Sequence, residues 1–556
     1  MRRSTAIILL AVFGAGVFLA GLELMITAVA LPAIVADLAD WTQLRKASWI
    51  IQGYLLVYVV AMPLAGRLTD LWGVRRLFLA ALATFVVGSA LAGRAQSLDE
   101  LIAARLVQAV GGGALVPVAT AAASHLFTGH ARPRALGVIG ALTFLGMAAG
   151  PTLGALVLDA VHFDPGVDPA GAGPGAFAGM IAHLAGVLGP AWRWVFYVNV
   201  PIGLVALFIG WAASYDWDTE RRSGPVDIVG GLLFSLALTA GLVAITLLGT
   251  GSTDLGLSPQ TVIGGLTVVA VAATGITIAW GIRQSDPYLD PRLFRNSVFS
   301  SAAIVSLLTG YAFATAIIGG AVFVDRVLYG GPDLQRLALG ALALATALGA
   351  LASGFAVRVM SLRVVTLVGL ALSGVALVAM SRWSAATTIQ EVALVLGAFG
   401  LGFGLTVTPR STAALDAVGR RAYGVASATV TVARMIGMAI GLAVLTAYGS
   451  TTIERLYDQV YATPDAYKQF IPVELRDRSL RDGLVVEALE SWAANEATRI
   501  MVGIFVVAAG VLVVAVPPAL ALGPRAGMLR VAEPGAAAGG SPELEGPDDV
   551  RSSVAL

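Results

Sequence analysis

Apolar stretches of about 20 residues recur along almost the whole chain, and this repetition limits what the chain can fold into. As a helix rising about 1.5 Å per residue, each stretch is long enough to cross a hydrocarbon core of about 30 Å. The composition agrees, since 57% of the 556 residues are hydrophobic, 12% are charged and the mean hydropathy is +0.84. A soluble domain of this length needs a more polar surface. The sequence therefore predicts an all-α polytopic membrane protein.

The apolar stretches fall into groups of six, two and six predicted spans. They lie at 6–32, 48–66, 76–94, 101–124, 135–160, 193–213, 226–249, 258–282, 297–324, 335–357, 363–382, 391–413, 423–449 and 500–522. This grouping predicts a six-helix bundle at 1–213, a two-helix insert at 214–290, a second six-helix bundle at 291–525 and a disordered tail at 526–556.

Arginine placement predicts how the chain lies in the membrane. The loops on one side carry most of the arginines, and cytoplasmic loops typically carry an excess of Lys and Arg. They are Arg67, Arg75, Arg76, Arg132, Arg134, Arg221, Arg222, Arg283, Arg292, Arg295, Arg358, Arg363, Arg410, Arg420 and Arg421. Both termini are thus predicted to be cytoplasmic, in a bacterial inner membrane. The first run lacks a small-residue cleavage site and contains Glu23, which predicts a retained first helix.

Two loops on the opposite side are longer than the rest. The segment 161–191 is rich in Gly and Pro, and it is predicted to be either a short interfacial helix or a disordered linker. The segment 450–499 alternates charged and apolar residues at helical spacing around 453–460 and 484–492. It predicts two helices that continue past the membrane surface, either to guide a lipid outward or to cap the bundle.

Several functional classes are excluded by what the sequence lacks. There is no cysteine, so thiol catalysis and cysteine metal sites are ruled out. The four histidines have no metal-ligand spacing, and no GxxxxGK[ST] sequence is present to bind ATP. The basic residues are dispersed among many loops, which argues against nucleic-acid binding. We expect no enzyme activity and no metal or cofactor, and we do not expect ATP to drive this protein directly.

The most specific local pattern is GRLTDLWGVRR at 66–76, between the second and third spans. It resembles the cytoplasmic loop motif of the major facilitator superfamily. Gly66 and Gly73 permit close helix approach and a tight turn, and Asp70 can lie at a helix N-terminus or accept a bond from an arginine. With Arg75 and Arg76, these residues form a predicted conformational latch. A basic loop that only sets topology would not explain the Gly, Asp and Gly spacing.

Two further patterns lie in the fourth and fifth spans. Arg105, Gln108 and the run 111–113 occupy the fourth span, and GMAAGPTLG occupies 146–154 in the fifth. The latter resembles the signature of major facilitator antiporters. It places Gly146, Gly150 and Gly154 on one helix face, and Pro151 weakens the helix to allow a bend. A plain packing seam of small residues is the alternative.

The sequences LELMITAVALP at 22–32, WRWVFYVNVPIG at 192–203 and GVASATVTVARMIG at 424–437 resemble marks of the fourteen-helix drug and proton antiporter branch. DPYLDPRLF at 286–294 and the long last outer loop are most similar to the mycobacterial permeases that export triacylglycerides. The resemblance implies two pseudo-symmetric six-helix bundles and alternating access. One departure is Phe144, which stands where those permeases are expected to carry a glutamate.

Charged side chains inside a membrane cost about 2.5 to 3.5 kcal/mol each on insertion scales, so each needs a reason. Glu23, Arg105 and Arg434, with Gln108, are the predicted proton-coupling set in the central cavity. Glu23 is expected to bind a proton in one conformation and to release it when Arg105 or Arg434 approaches. A static ion pair is the alternative. Nearer the outer ends, a predicted outer gate comprises Asp159, Asp325 and Arg326.

The remaining predicted cavity lining is Ala, Leu, Val, Gly, Thr and Met, which cannot repay the desolvation of a sugar or nucleotide. We therefore expect proton-coupled export of a lipophilic substrate, triacylglyceride-like in the favoured case. The alternative is a multidrug and proton antiporter that exports hydrophobic cationic drugs. The expected partners are membrane lipids, the lipophilic substrate and a periplasmic lipid-carrying lipoprotein, and the chain is expected to act as a monomer.

Overall fold

The protein was analysed as a computed structural model that describes residues 2–38, 44–160, 189–217, 219, 221, 227–250, 258–461, 465–478 and 481–523. Across these ranges the regular structure is helical, and fourteen helices are long and apolar enough to span a membrane. The predicted all-α fold with fourteen spans is confirmed. The helices are α1 (Arg3–Leu38), α2 (Trp49–Trp72), α3 (Val74–Arg94), α4 (Leu98–Leu126), α5 (Ala131–Ala160), α6 (Ala191–Ala213), α7 (Ile228–Thr250), α8 (Pro259–Arg283), α9 (Ser297–Arg326), α10 (Pro332–Ala356), α11 (Leu362–Met380), α12 (Ile389–Asp416), α13 (Tyr423–Tyr461) and α14 (Gly483–Val514).

The packing of α1–α6 is repeated by α9–α14. Helix α1 packs against α5 as α9 packs against α13, and α2 packs against α4 as α10 packs against α12. Helices α3 and α4 pair as α11 and α12 do. Each helix of the first bundle thus has a counterpart eight helices later, which is the internal repeat expected of this architecture.

Helices α7 and α8 pair with each other outside the two bundles. Helix α7 also packs against α13 and α2, at one of the two seams where the bundles meet. The other seam is formed by α5 and α10. The predicted domain boundaries at 213, 290 and 525 stay predictions. The segment 161–188 and the tail 526–556 lie outside the described residues.

The three glycines of the 146–154 pattern face α1. A Cβ added to Gly146 would lie 2.2 Å from the carbonyl oxygen of Phe18, so only glycine fits there without moving α1. Gly150 and Gly154 face the same helix, with first contacts at 2.8 and 3.1 Å. Pro151 lies inside α5, which continues beyond it. The pattern therefore forms a close seam between α1 and α5, and its proposed bend stays a prediction.

Helices α13 and α14 extend beyond the length of a simple span. Helix α13 has 39 residues, or about 58 Å at about 1.5 Å per residue, and α14 begins at Gly483. The predicted helical stretches at 453–460 and 484–492 lie within them. Between the two helices, Tyr467 and Ile471 are buried against Val485, and the ring of Phe470 lies 4.5 Å from that of Trp492. This small apolar cluster anchors the connection to the start of α14.

The seam between α1 and α5 yields a stability prediction. Gly146→Ala forces a methyl group against the backbone of α1, and overpacking of this kind typically costs about 1 to 3 kcal/mol. We expect a lower melting temperature for the purified variant in detergent. The matched control is Gly374→Ala in α11, where an added Cβ would meet nothing within 4 Å. An equal melting temperature for both variants would contradict the packing described here.

Candidate transport site

Glu23 is the centre of a polar network inside the first bundle. Its side chain is 0% exposed, and its carboxylate accepts hydrogen bonds from Thr27 Oγ1 at 2.8 Å and from Asn199 Nδ2 at 2.6 Å. Arg105 Nη1 donates to the same carboxylate and forms a buried ion pair with it. Because these partners come from α1, α4 and α6, one carboxylate ties three helices together.

Arg105 has several partners in addition to Glu23. Its Nη1 lies 2.5 Å from Gln108 Oε1, and its Nε donates to the carbonyl oxygen of Ile50 at 3.3 Å. The Gln108 amide in turn donates to Ser89 Oγ at 2.7 Å. The guanidinium carbon lies 3.9 Å from the centre of the Tyr54 ring, which is a cation–π contact. The predicted set of Glu23, Arg105 and Gln108 therefore comes together.

The glycine run in α4 makes this arrangement possible. A Cβ on Gly113 would lie 2.2 Å from the carbonyl oxygen of Tyr58, and one on Gly111 would lie 2.4 Å from the backbone nitrogen of Phe85. Helices α2 and α3 can therefore approach α4 closely enough to enclose Arg105.

Four members of the network were not predicted from the sequence: Thr27, Tyr54, Ser89 and Asn199. Asn199 could have been found, because it is the sole amide side chain in the sixth predicted span. The two hydroxyl residues could not, since Ser and Thr are common in membrane helices and usually bond to their own backbone. Tyr54 carries no pattern that separates it from an ordinary interfacial tyrosine.

Arg434, the fourth predicted member, lies elsewhere in this conformation. Its guanidinium carbon is 5.5 Å from the centre of the Phe144 ring, and it interacts electrostatically with Tyr58. Across the described residues it forms no ion pair, so the predicted approach to Glu23 is not present in this state. Phe144 is 2% exposed and packs edge-on against Phe313 and Phe403, with ring centres 5.6 Å apart in both cases.

Arg410 corrects one inference from the sequence. It was assigned to a cytoplasmic loop, but it lies inside α12 and is 1% exposed. Its Nη1 donates to Thr309 Oγ1, and its guanidinium carbon lies 5.1 Å from the centre of the Phe403 ring. Arg67 is likewise inside a helix, fully buried in α2, with its Nη2 2.8 Å from Asp286 Oδ2. Arg410 lies within the predicted span 391–413 and Arg67 lies one residue beyond the span 48–66, so their assignment to loops came from their charge and not from the apolar windows.

The latch residues join the two bundles at the end that bears the arginine-rich loops. Asp70 at the end of α2 accepts hydrogen bonds from the backbone N–H groups of Gly424 at 2.7 Å and Val425 at 3.0 Å. These donors belong to the N-terminus of α13, where the helix dipole favours a negative charge. Gly66 packs against Gly424 so closely that an added Cβ would lie 2.6 Å from its carbonyl oxygen. Gly73 turns the chain into α3 at φ 88°, a conformation that favours glycine.

The two arginines of the latch pattern behave differently. Arg75 Nε donates to Ser214 Oγ at 3.0 Å, which keeps it within the first bundle, and Arg76 is exposed. A second link between bundles comes from Arg132, which pairs with Asp416 and donates to the Tyr423 hydroxyl at 3.0 Å. The arginine-rich end is therefore closed in this structure.

In this conformation, two residues of the predicted outer gate pair with each other within the second bundle. Arg326 Nε lies 3.0 Å from Asp325 Oδ2, and Gln335 donates to the same carboxylate at 3.3 Å. Arg326 and Asp325 are both largely exposed at the end of α9. Asp159 lies in the last turn of α5, and its side chain is outside the description. The gating role stays a prediction.

Two adjoining cavities lie where the α7 and α8 pair meets the bundles. One of about 370 Å³ lies between α2, α7, α9 and α13, and the other, of about 750 Å³, lies mainly between α7 and α8. Phe234, Leu289, Phe294 and Ile436 line both, and among the residues that the structure describes no charged side chain lines either. The hydroxyl-bearing residues of the two walls are Tyr288, Ser300, Thr429, Thr274 and Thr277. These cavities are suited to hydrocarbon rather than to polar solutes.

Two repeated bundles, a closed latch at one end and a buried polar network inside the first bundle define a multi-pass membrane transporter. The chain belongs to the Major Facilitator Superfamily, whose family model matches residues 13–442. This confirms the resemblance drawn from the motifs.

Relatives and solved structures agree with that assignment. A triacylglyceride transporter of Mycolicibacterium hassiacum is 30% identical over 495 residues, covering 86% of each chain. Multidrug resistance protein 3 of Bacillus subtilis is 27% identical over 431 residues, covering 77% of each chain. The human organic anion transporter MFSD10 has the same fold, with a TM-score of 0.57 at 14% identity over 92% of this chain and 100% of that one.

The latch geometry predicts a change in conformational equilibrium. Asp70→Asn removes the charge and one acceptor from the α13 N-terminus, and hydrogen bonds to charged groups contribute about 1.5 to 3 kcal/mol. The chain has no cysteine, so Ser427→Cys gives a single thiol at a position that is 3% exposed and donates across the bundles to Pro117. We expect that thiol to react with a maleimide about tenfold faster or more when Asp70→Asn is added.

The matched control for the latch experiment is Asp99→Asn, because Asp99 forms an exposed pair with Lys46 within the first bundle. It should leave the labelling rate of the thiol unchanged. Equal rates with and without Asp70→Asn would show that Asp70 does not hold the arginine-rich end closed.

Proposed function

We propose that this transporter exports a lipophilic molecule, favoured to be a triacylglyceride-like lipid, from a bacterial cytoplasmic membrane, and that protons moving through Glu23 drive the export. The observation that carries the proposal is the fully buried carboxylate of Glu23, bonded to Arg105, Thr27 and Asn199 inside otherwise apolar helices. A charge in this position is costly to keep, which favours a functional role over a purely structural one.

The network supplies a means of coupling. Removal from water favours the neutral carboxylic acid, whereas the three donors favour the carboxylate, so a rearrangement of these contacts would change which form is held. A proton that reaches Glu23 from the open end weakens its bond to Arg105 and thereby loosens α1 from α4 and α6. The rearranged bundles then expose Glu23 to the opposite side, where the proton leaves.

The substrate class is supported by the cavity walls and by the relatives. Both cavities beside α7 have apolar walls without charged side chains, which suits acyl chains and not polar solutes. The relatives named as triacylglyceride transporters include one from Mycolicibacterium smegmatis, 31% identical over 450 residues, covering 78% of this chain and 74% of that one. The extensions of α13 and α14 would then lead lipid away from the membrane toward a carrier lipoprotein.

Export of hydrophobic cationic drugs is the second candidate, favoured by the similarity to the multidrug resistance protein of Bacillus subtilis. The same latch and the same buried carboxylate would serve that function. The two candidates differ in the charge of the substrate, so they can be separated by the choice of probe.

Glu23→Gln tests the coupling. In liposomes with an imposed pH gradient, wild-type protein should move a fluorescent triacylglyceride, and the gradient-dependent part of that movement should be lost in the variant because the amide cannot exchange a proton. The assay is repeated with ethidium as the cationic probe. Movement of lipid alone supports the favoured substrate, and movement of ethidium alone makes the second candidate correct.

The control for this test is Asp99→Asn, which likewise replaces a carboxylate by an amide, at a side chain that is 75% exposed. It should retain gradient-driven movement. Because Glu23→Gln leaves Arg105 buried without its ion pair, folding is checked by elution of a single symmetric peak in gel filtration, and Glu23→Asp serves as a variant that keeps the titratable group. Undiminished gradient-driven transport by folded Glu23→Gln protein would refute the coupling role.

A further inference from the structure

The buried arginines of the two bundles differ in whether an acidic side chain pairs with them. In the first bundle, Arg105 has the carboxylate of Glu23 as its partner. In the second bundle, Arg410 and Arg434 form no ion pair with any acid in the part of the chain that the structure describes. The second bundle therefore presents two positive charges without a counter-charge in the interior of the protein.

Both guanidinium groups lie against one aromatic cluster, formed by Phe144, Phe313 and Phe403. Arg410 is 5.1 Å from the centre of the Phe403 ring, and Arg434 is 5.5 Å from that of Phe144. The Phe313 and Phe403 rings stack at 4.2 Å. The ring centres of Phe144 and Phe403 are 5.6 Å apart, so the two guanidinium groups lie against neighbouring rings. The aromatic cluster therefore provides an apolar surface on which two like charges lie near each other.

The backbone holds the pair in this position. Gly310 of α9 packs on Arg434, since an added Cβ would lie 2.2 Å from the carbonyl oxygen of Arg434. The neighbouring Thr309 accepts the hydrogen bond from Arg410. The close crossing of α9 and α13 therefore fixes both arginines relative to each other. Arg434 is also partly exposed as a residue, and its Nε has no hydrogen-bond partner among the described residues, so this guanidinium group retains a donor for a ligand.

We propose that Arg410 and Arg434 form a binding subsite for the acidic group of an anionic lipid, an acyl chain that carries a carboxylate or a phosphate. Burying two like charges is unfavourable unless an anion joins them, and a guanidinium group matches the oxygens of carboxylate and phosphate. The rings of Phe144, Phe313 and Phe403 provide an apolar surface for the start of the acyl chain. The inference rests on the proposed export of a lipophilic molecule, and it favours an anionic lipid over the neutral triacylglyceride-like lipid named there.

The same charges make cationic drugs poor ligands at this subsite. A cation near Arg410 and Arg434 would meet two like charges, and the carboxylate of Glu23 is already bonded to Arg105. A neutral triacylglyceride would gain the apolar contacts but would leave both arginines without a counter-charge. Of these three ligands, only the anionic lipid would both neutralise the arginines and make the apolar contacts.

The test is equilibrium binding to the purified full-length protein in nanodiscs, without any gradient. Each of two pairs of fluorescent probes compares a charged lipid with a neutral one that has the same acyl chains: a fatty acid with its methyl ester, and a phosphatidic acid with the corresponding diacylglycerol. We expect wild-type protein to bind the charged member of at least one pair tenfold tighter or more. Arg434→Met should remove that preference by weakening the charged probe tenfold or more, with the neutral probe unchanged, and Arg434→Lys should restore part of it.

Arg410→Met should have the same effect, but its side chain is 1% exposed, so the partly exposed Arg434 provides the decisive variant if Arg410→Met fails to fold. The matched control is Arg382→Met, since Arg382 is exposed between α11 and α12. Preference for the fatty acid alone assigns a carboxylate, and preference for phosphatidic acid alone assigns a phosphate.

Equal affinity for both members of both pairs, or an unchanged preference in Arg434→Met, would overturn the subsite. The experiments can refute the proposed export and the proposed subsite independently of each other. Loss of all gradient-driven transport with a retained charge preference would overturn the proposed export but not the subsite, whereas transport without any charge preference would do the reverse.

Discussion

A charged side chain in the hydrocarbon core has no water to solvate it, and the interior of this protein is arranged around that constraint. Glu23 is kept inside the first bundle by donors from α1, α4 and α6, so the same bonds that satisfy its charge also hold the three helices in register. Any change in the protonation of Glu23 must therefore alter how these helices pack. A carboxylate with this many partners is at once a structural tie and a point at which a proton can change the structure.

The closure at the arginine-rich end depends on the same physics at the membrane surface. Asp70 compensates the N-terminus of α13, and the pairing of Arg132 with Asp416 adds a second link between the bundles. Small residues allow this closure, because Gly66 and Gly424 bring the backbones of α2 and α13 into contact. A few polar bonds over a small-residue contact can form and break without loss of the hydrophobic packing within each bundle, as alternating access requires.

The two bundles repeat each other in helix packing but not in chemistry. The first contains a neutralised pair, Glu23 with Arg105, and the second contains Arg410 and Arg434 over aromatic rings. In the proposed mechanism, this division assigns proton transfer to the first bundle and substrate binding to the second. The α7 and α8 pair adds apolar walls at the seam of α2 and α13, which suits a transporter whose substrate partitions into the bilayer.

The sequence alone determined the fold class, the fourteen spans and the family, because apolar length and the Gly, Asp and Gly spacing are local properties that need no knowledge of which helices touch. It also named Glu23, Arg105 and Gln108, which lie together in the structure, because few polar side chains stand in the apolar spans of that bundle. Only the tertiary structure showed that Asn199 completes the network, that Arg410 is buried inside α12, and that Arg434 lies against Phe144 instead of Glu23. These facts depend on the rotation of each helix and on which neighbours it meets, and a linear pattern carries neither.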